Sequence, residues 1–159
     1  MRTKLDSART WFLESLSYSE ELSLVLVEGF VNSKAEVLIV GKARIDGAHQ
    51  IAPSTKSRRY CITFHDFVTW QVVREYCSTF DKSEIKEDDG KFVQTISKSR
   101  YLDYAKAVHV WGPTTEKTCM YRVWSEEEVI EVISCQPPKI VAVRPNPALK
   151  RDGAKRAAP

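Results

Sequence analysis

The stretch from Ser57 to Tyr76, SRRYCITFHDFVTWQVVREY, constrains the fold more than any other part of the chain. Its apolar side chains recur at every second position, as Tyr60, Ile62 and Phe64 and then as Val68, Trp70, Val72 and Tyr76. A period of two places one set of side chains on a buried sheet face, and β-branched and aromatic residues suit that surface. We therefore predict two paired strands with Trp70 as the main core anchor. The link His65-Asp66 is either a hairpin connection or a bulge in one long strand.

The rest of the chain adds further strands and one helix. Strands are predicted at residues 21–29, 35–45, 91–96, 116–124, 128–135 and 139–143, with a turn at Asp46-Gly47 and loops at 49–56 and 81–90. Residues 8–16 could form a short helix or a first strand, and 128–135 favour a strand over a helix because Val129, Ile130, Val132 and Ile133 are β-branched.

Helical spacing of apolar residues predicts a helix near 99–108, with Ser99 or Ser97 as its N-terminal cap. Strands that do not alternate with helices indicate an antiparallel arrangement. The predicted fold is mainly β, with α+β as the alternative. It is a single antiparallel sandwich or partly closed barrel of about seven or eight strands.

Charge divides the chain into a body and a tail. The whole sequence carries a net charge of +3, but residues 1–143 hold 19 basic and 20 acidic residues. Residues 1–143 are therefore predicted to form a single globular domain of nearly neutral charge, which argues against a dedicated nucleic-acid binder. Residues 144–159 are rich in Pro, Ala, Lys and Arg and should form a disordered basic tail.

Several classes of protein fit the sequence poorly. No apolar run approaches the roughly 20 residues of a membrane helix, and the N-terminus makes a poor signal peptide, so a cytoplasmic location and no membrane partner are expected. The sequence contains no Gly-rich phosphate loop and no cysteine pair with zinc-ligand spacing, so neither a cofactor nor a metal is predicted. The four cysteines are interpreted as reduced, half-buried residues: Cys61, Cys77, Cys119 and Cys135.

Two charged groups are candidate binding surfaces. Acidic residues at Asp88, Asp89, Glu127 and Glu128 could steer a basic protein partner. Basic residues at Arg58, Arg59, Arg74 and Lys98 could form an anion or polar site if they converge. The ordinary alternatives are solvated turns for the acids and a solubilising rim for the basic residues.

Four motifs of the body, together with the tail, carry a resemblance. Ser57–Phe64, Val68–Tyr76, Ser97–Tyr104 (SKSRYLDY) and Val129–Ser134 are similar to a pattern shared by a family of uncharacterised small bacterial proteins. The tail RPNPALKRDGAKRAAP resembles repeat-derived extensions that end many hypothetical proteins of Gram-negative bacteria. The resemblance implies a bacterial source and an immunity-protein-like or antitoxin-like role, and it implies no known activity.

Three functions remain open from the sequence. The first is a non-enzymatic cytosolic protein-interaction domain, most concretely an immunity protein that neutralises a basic bacterial toxin. The second is a small-molecule-binding β domain with a pocket between sheet and helix, lined by Trp70, Tyr101 and Tyr104. The third is a thiol-dependent enzyme, although no nucleophile signature surrounds any cysteine and no catalytic residue is assigned.

Overall fold

Two antiparallel sheets make up the fold. The computed structural model of the chain describes residues 3–77, 81–88, 90–108 and 118–144. The first sheet contains β1 (Thr10–Tyr18), β2 (Leu22–Val40), β3 (Ala43–Pro53), β4 (Arg59–Phe64) and β10 (Lys139–Val143). The second contains β5 (Phe67–Arg74), β6 (Ile85–Lys86), β7 (Val93–Lys98), β8 (Cys119–Trp124) and β9 (Glu128–Ser134). One helix, α1 (Arg100–Val108), and two short 3-10 turns, Lys4–Ser7 and Glu75–Cys77, complete the described residues.

The two sheets share one hydrophobic core, which confirms the prediction of a mainly β sandwich. The core draws on alternating residues of both sheets, among them Leu22, Leu24, Leu26, Ile62 and Phe64 from the first and Val93, Tyr121, Val123, Ile130 and Val132 from the second. The rings of Phe64 and Tyr121 meet across the two layers with centroids 5.7 Å apart. Period-two alternation therefore brings the two inner faces together, as in other sandwiches.

The strands at 59–64 and 67–74 form as predicted, but their pairing as a hairpin is wrong. β4 lies between β2 and β10 in the first sheet, whereas β5 pairs with β9 in the second. His65-Asp66 therefore carries the chain from one sheet to the other. Alternation specifies which face of a strand is buried, but it does not specify which strand lies beside it.

Trp70 is also not the main core anchor. It is only partly buried, because β5 is the last strand at one edge of its sheet. The expected buried positions farther along are exposed, with Val72 at 41% and Tyr76 at 80%. Trp11 on β1 is fully buried; it packs edge-to-face on Tyr60 and donates its indole N–H to the carbonyl of Leu5 at 3.0 Å. Residues 10–18 thus form a strand.

The two apolar runs at 21–29 and 35–45 belong to one hairpin with a different turn. β2 continues through both runs to Val40, and the chain reverses at Gly41-Lys42, where Gly41 adopts a positive φ of 60°. The predicted turn at Asp46-Gly47 is a bulge opposite Val37, and the predicted loop at 49–56 continues as strand to Pro53. Gly41 supplies the left-handed conformation that a tight reversal requires.

Part of this hairpin extends beyond the sandwich. β1 pairs with β2 only as far as Gly29, and β10 pairs only with β4. Residues 30–53 therefore form a two-stranded ribbon whose two outer edges pair with no other described strand, and we call these residues the arm. At its base, Gly29 packs so closely that an added Cβ would lie 2.6 Å from the Phe12 ring.

Helix α1 covers part of the outer face of the second sheet. Leu102 and Ala105 pack on a second apolar cluster formed by Ile96, Met120 and Ile133. The hydroxyl oxygen of Ser99 accepts a hydrogen bond from the Leu102 amide at 3.0 Å, which confirms the predicted helix and its cap. The strand at 128–135 is confirmed as well. No helix in the described ranges is long and apolar enough to span a membrane.

Candidate functional site

A polar row crosses the outer face of the second sheet beside the helix. The strand registers place Gln94, Arg122, Glu131 and Gln71 opposite one another on β7, β8, β9 and β5. The next row on the same face is apolar and lies under α1, because residues two apart along a strand share a face. Sequence reasoning missed this row, although Arg122 and Glu131 interrupt two otherwise apolar strands.

Arg122 is the centre of a buried ionic network. Its Nε and Nη2 donate to Glu131 Oε1 at 2.8 and 2.5 Å, and its Nη1 and Nη2 donate to the two oxygens of Glu84 at 2.9 and 2.6 Å. Gln71 Nε2 donates to the other oxygen of Glu131 at 2.6 Å. Burial alone would lower the pKa of Arg122, but the hydrogen bonds with both glutamates outweigh it and its pKa is raised. Arg122 therefore stays charged in the interior.

A cavity of about 820 Å³ opens over this network. Its lining combines the network with apolar and rim residues: Gln71, Val73, Cys77, Asp81, Lys82, Ser83, Glu84, Ser99, Arg100, Tyr101, Arg122, Val129 and Glu131. Burial raises the pKa of Tyr101, although the hydrogen bond with Thr69 opposes the shift. A volume of this size falls in the range of roughly 300–1,000 Å³ that is typical of small-molecule sites.

The segment from Asp81 to Glu84 forms one wall of the cavity. Asp81 accepts hydrogen bonds from the amide and hydroxyl of Ser83 at 2.9 and 2.7 Å and from the Arg100 amide at 3.1 Å. The hydrogen bonds from Ser83 are the main reason that the pKa of Asp81 is lowered. These hydrogen bonds hold the segment against the N-terminus of α1 and place the Glu84 carboxylate beside Arg122. The sequence prediction of an exposed loop at 81–90 is therefore wrong for Glu84, whose side chain is 7% exposed.

The predicted pocket residues are divided between two places. Tyr101 lines the cavity as predicted. Trp70 lies on the opposite face of the second sheet, where it packs on the core and on Tyr18. Tyr104 is 61% exposed and does not line the cavity.

Both predicted acidic segments lie at one end of the second sheet. β7 begins and β8 ends there, since Val93 is opposite Val123. Asp88 accepts hydrogen bonds from the amides of Gly90 and Thr95 at 3.2 Å each. Burial opposes ionisation of Asp88, but hydrogen bonds from the Thr95 side chain and from the amides of Gly90 and Thr95 outweigh it, and the pKa of Asp88 is lowered.

The other acidic segment turns between β8 and β9. The Glu128 amide donates a hydrogen bond to Ser125 Oγ at 3.1 Å, and the Glu127 carbonyl accepts one from the Glu75 amide at 3.0 Å. Asp89 lies outside the described residues. The structure thus gathers Asp88, Glu127 and Glu128 at one end of the sheet.

The predicted basic residues are spread over the molecule. Arg58 makes a bidentate pair with Glu28 at 2.7 and 2.6 Å, and that hydrogen bonding lowers the pKa of Glu28. Arg59 pairs with Glu14 at 3.0 Å, also on the first sheet. Arg74 and Lys98 lie at opposite ends of the second sheet, Arg74 opposite Glu128 and Lys98 opposite Ile85. The fold therefore does not bring these four residues into one site.

The cysteines are free thiols; Cys61, Cys119 and Cys135 are half-buried as predicted, whereas Cys77 is exposed. Burial raises the pKa of Cys119, which disfavours its reactive thiolate form. Among the histidines, His65 lies 3.0 Å from Glu21 and His49 contacts the Asn32 carbonyl, while His109 lies outside the described residues. Within the described ranges, no group of three or more potential ligands is arranged to hold a metal ion.

The end of the arm exposes apolar side chains on both faces. Leu38 lies opposite Ile45 on one face, at 49% and 48% exposure. On the other face Ile39 is 72% exposed and lies opposite Arg44. Several neighbouring branched aliphatic side chains in the open are uncommon on an isolated protein surface.

Comparisons of the chain with protein-family models, with curated proteins and with solved structures find no match.

Proposed function

We propose that this protein is a non-enzymatic protein-interaction domain and that the arm is its contact surface. The observation that carries the proposal is the exposed apolar end of the arm, where Val37, Leu38, Ile39 and Val40 are between 49% and 72% exposed. A two-stranded hairpin without a third strand or a packed face is only marginally stable in water. A partner that covers these side chains would stabilise the hairpin, and their burial would contribute hydrophobic free energy to the complex.

The size of the arm also suits an interface. β3 contributes 11 residues, and the part of β2 beyond Gly29 lies alongside it. An interface of standard size uses roughly 20–30 residues on each side. One arm therefore provides about the surface that a specific protein complex requires.

Site-specific photocrosslinking in the cells that express the protein tests this proposal. A photoreactive residue at Leu38 or Ile39 samples the two faces of the arm, and one at Glu20, an exposed position in the β1–β2 turn, is the control. We expect a discrete crosslinked product from the arm positions and none from Glu20. A product of twice the chain's mass identifies a second copy, and any other mass identifies a different protein. The absence of a crosslinked product at both arm positions would refute the proposal.

We further propose a more specific form, a cytoplasmic immunity protein of bacterial origin that neutralises a basic toxin. The placement of Asp88, Glu127 and Glu128 at one end of the second sheet supports it, because acidic side chains steer a basic partner. The resemblance of the four sequence motifs implies the same role.

Charge reversal of Glu127 tests this form. Glu127→Lys should slow association with the crosslinked partner at low salt, whereas Glu20→Lys, with the same change in net charge, should leave the rate unchanged. Equal association rates for the two variants would rule out the acidic end as the contact for a basic partner, while the arm could still be the contact surface.

A further inference from the structure

We propose that the cavity on the outer face of the second sheet binds a small organic cation, an amine or a guanidinium joined to a short apolar chain. This site lies on the sandwich body rather than on the arm, so it is a second binding function beside the protein interaction. Three properties of the cavity support this class of ligand: its excess of buried acceptors, the position of its positive charges and its apolar flank.

The buried part of the cavity contains more carboxylate than cation. Glu84 and Glu131, 7% and 11% exposed, both accept hydrogen bonds from the one guanidinium of Arg122. A carboxylate offers about four acceptor sites. Glu84 accepts two hydrogen bonds and Glu131 accepts three, so both retain acceptor capacity. Glu84 and Glu131 share the single positive charge of Arg122. A ligand with charged N–H groups would supply further hydrogen-bond donors and a second positive charge.

The positions of the other cations disfavour an anionic ligand. Arg100 and Lys82 lie at the rim, and the Arg100 side chain is 87% exposed. The guanidinium of Arg122 already donates to two carboxylates. An anion that entered the cavity would therefore approach Glu84 and Glu131, which would repel it.

The flank of the cavity suits an apolar chain. Val73 and Val129 lie opposite each other on β5 and β9, and both line the cavity. Tyr101 adds an aromatic ring on the helix side. Aliphatic side chains favour a hydrocarbon chain, and an aromatic face attracts an ammonium or guanidinium group.

The test is an NMR titration of the full chain with four probes that share a four-carbon chain: butylammonium, butylguanidinium, butanol and butyrate. The side-chain amide of Gln71 is the reporter, because it bonds to Glu131 and lines the cavity. We expect saturable shifts of this amide with the two cations and none with butanol or butyrate. Equal shifts with all four probes, stronger binding of butyrate, or no saturable shift with either cation would overturn the proposal.

A matched pair of variants assigns the effect to the carboxylates. Glu84→Gln should weaken binding of butylammonium by about tenfold or more, since charge-assisted hydrogen bonds contribute at least that factor. Glu20→Gln makes the same change in net charge at the β1–β2 turn, outside the cavity, and should leave the affinity unchanged. Equal affinities in the two variants would count against the site. Should Glu84→Gln unfold, the comparison of the four probes on the unmodified chain still decides, and none of these results depends on the arm.

Discussion

Replacing Arg122 with Met should be among the most destabilising single substitutions in this protein. Arg122, Glu84 and Glu131 are 3%, 7% and 11% exposed, so the variant would leave two carboxylates buried without their shared partner. Removing one member of a buried ionic network typically costs roughly 3–5 kcal/mol. That is a large part of the roughly 5–15 kcal/mol by which a domain is usually stable.

The measurement is urea unfolding at neutral pH, followed by tryptophan fluorescence. Arg44→Met is the matched control, because Arg44 also pairs with a carboxylate at 2.9 Å but both partners are about two-thirds exposed. It should lose no more than about 1 kcal/mol. Exchanging Glu84 and Glu131 for Leu in the Arg122→Met background should recover much of the lost stability, since no uncompensated charge would remain. This account of the network would be refuted if Arg122→Met lost no more stability than Arg44→Met. It would also be refuted if the triple variant were as unstable as Arg122→Met alone.

Three other predictions concern the core, the helix and the response to acid. Trp11→Ala should lower the free energy of unfolding in urea by about 3–5 kcal/mol, and Trp70→Ala should lower it distinctly less, because Trp11 is fully buried and Trp70 is not. Equal losses of stability in the two variants would contradict the assignment of Trp11 as the core anchor. Ser99→Ala should destabilise by about 0.5–2 kcal/mol and reduce hydrogen-exchange protection in the first turn of α1, and unchanged protection would argue against the cap. Arg58 lowers the pKa of Glu28 from 4.5, so this pair stabilises the fold above pH 4.5 and its contribution is lost as the pH falls through the lowered pKa. The stability gap between wild type and Glu28→Gln should therefore narrow with acid, and a gap that widened would show the opposite linkage.

Local patterns in the sequence predicted the secondary structure well where one face of an element is buried. The helix at 100–108 and its Ser99 cap could be predicted because the cap and the apolar spacing are within one short segment. The strands at 59–64 and 128–134 could be predicted because their alternating or β-branched residues are buried in the sandwich. The partners of these strands could not, because pairing depends on contacts between residues far apart in the chain.

The candidate sites illustrate the same limit. Arg122 and Glu131 are nine residues apart and belong to adjacent strands, while Glu84 joins them from a segment that looks like a polar loop. Their convergence requires the strand register, which the sequence does not specify. The arm could not be predicted for another reason. Its apolar residues alternate as in a core strand, and alternation alone does not show whether another part of the fold covers them.

The position of β10 has a consequence for synthesis on the ribosome. β10 closes the first sheet against β4, yet the strands of the second sheet, β5 to β9, lie between β4 and β10 in the chain. During translation, the strands of the second sheet are therefore complete before the first sheet receives its last edge strand. Until residues 139–143 emerge, the backbone of β4 presents an open edge to other nascent chains, and such an edge invites intermolecular pairing. β10 thus covers an edge of β4 that would otherwise be open to intermolecular pairing.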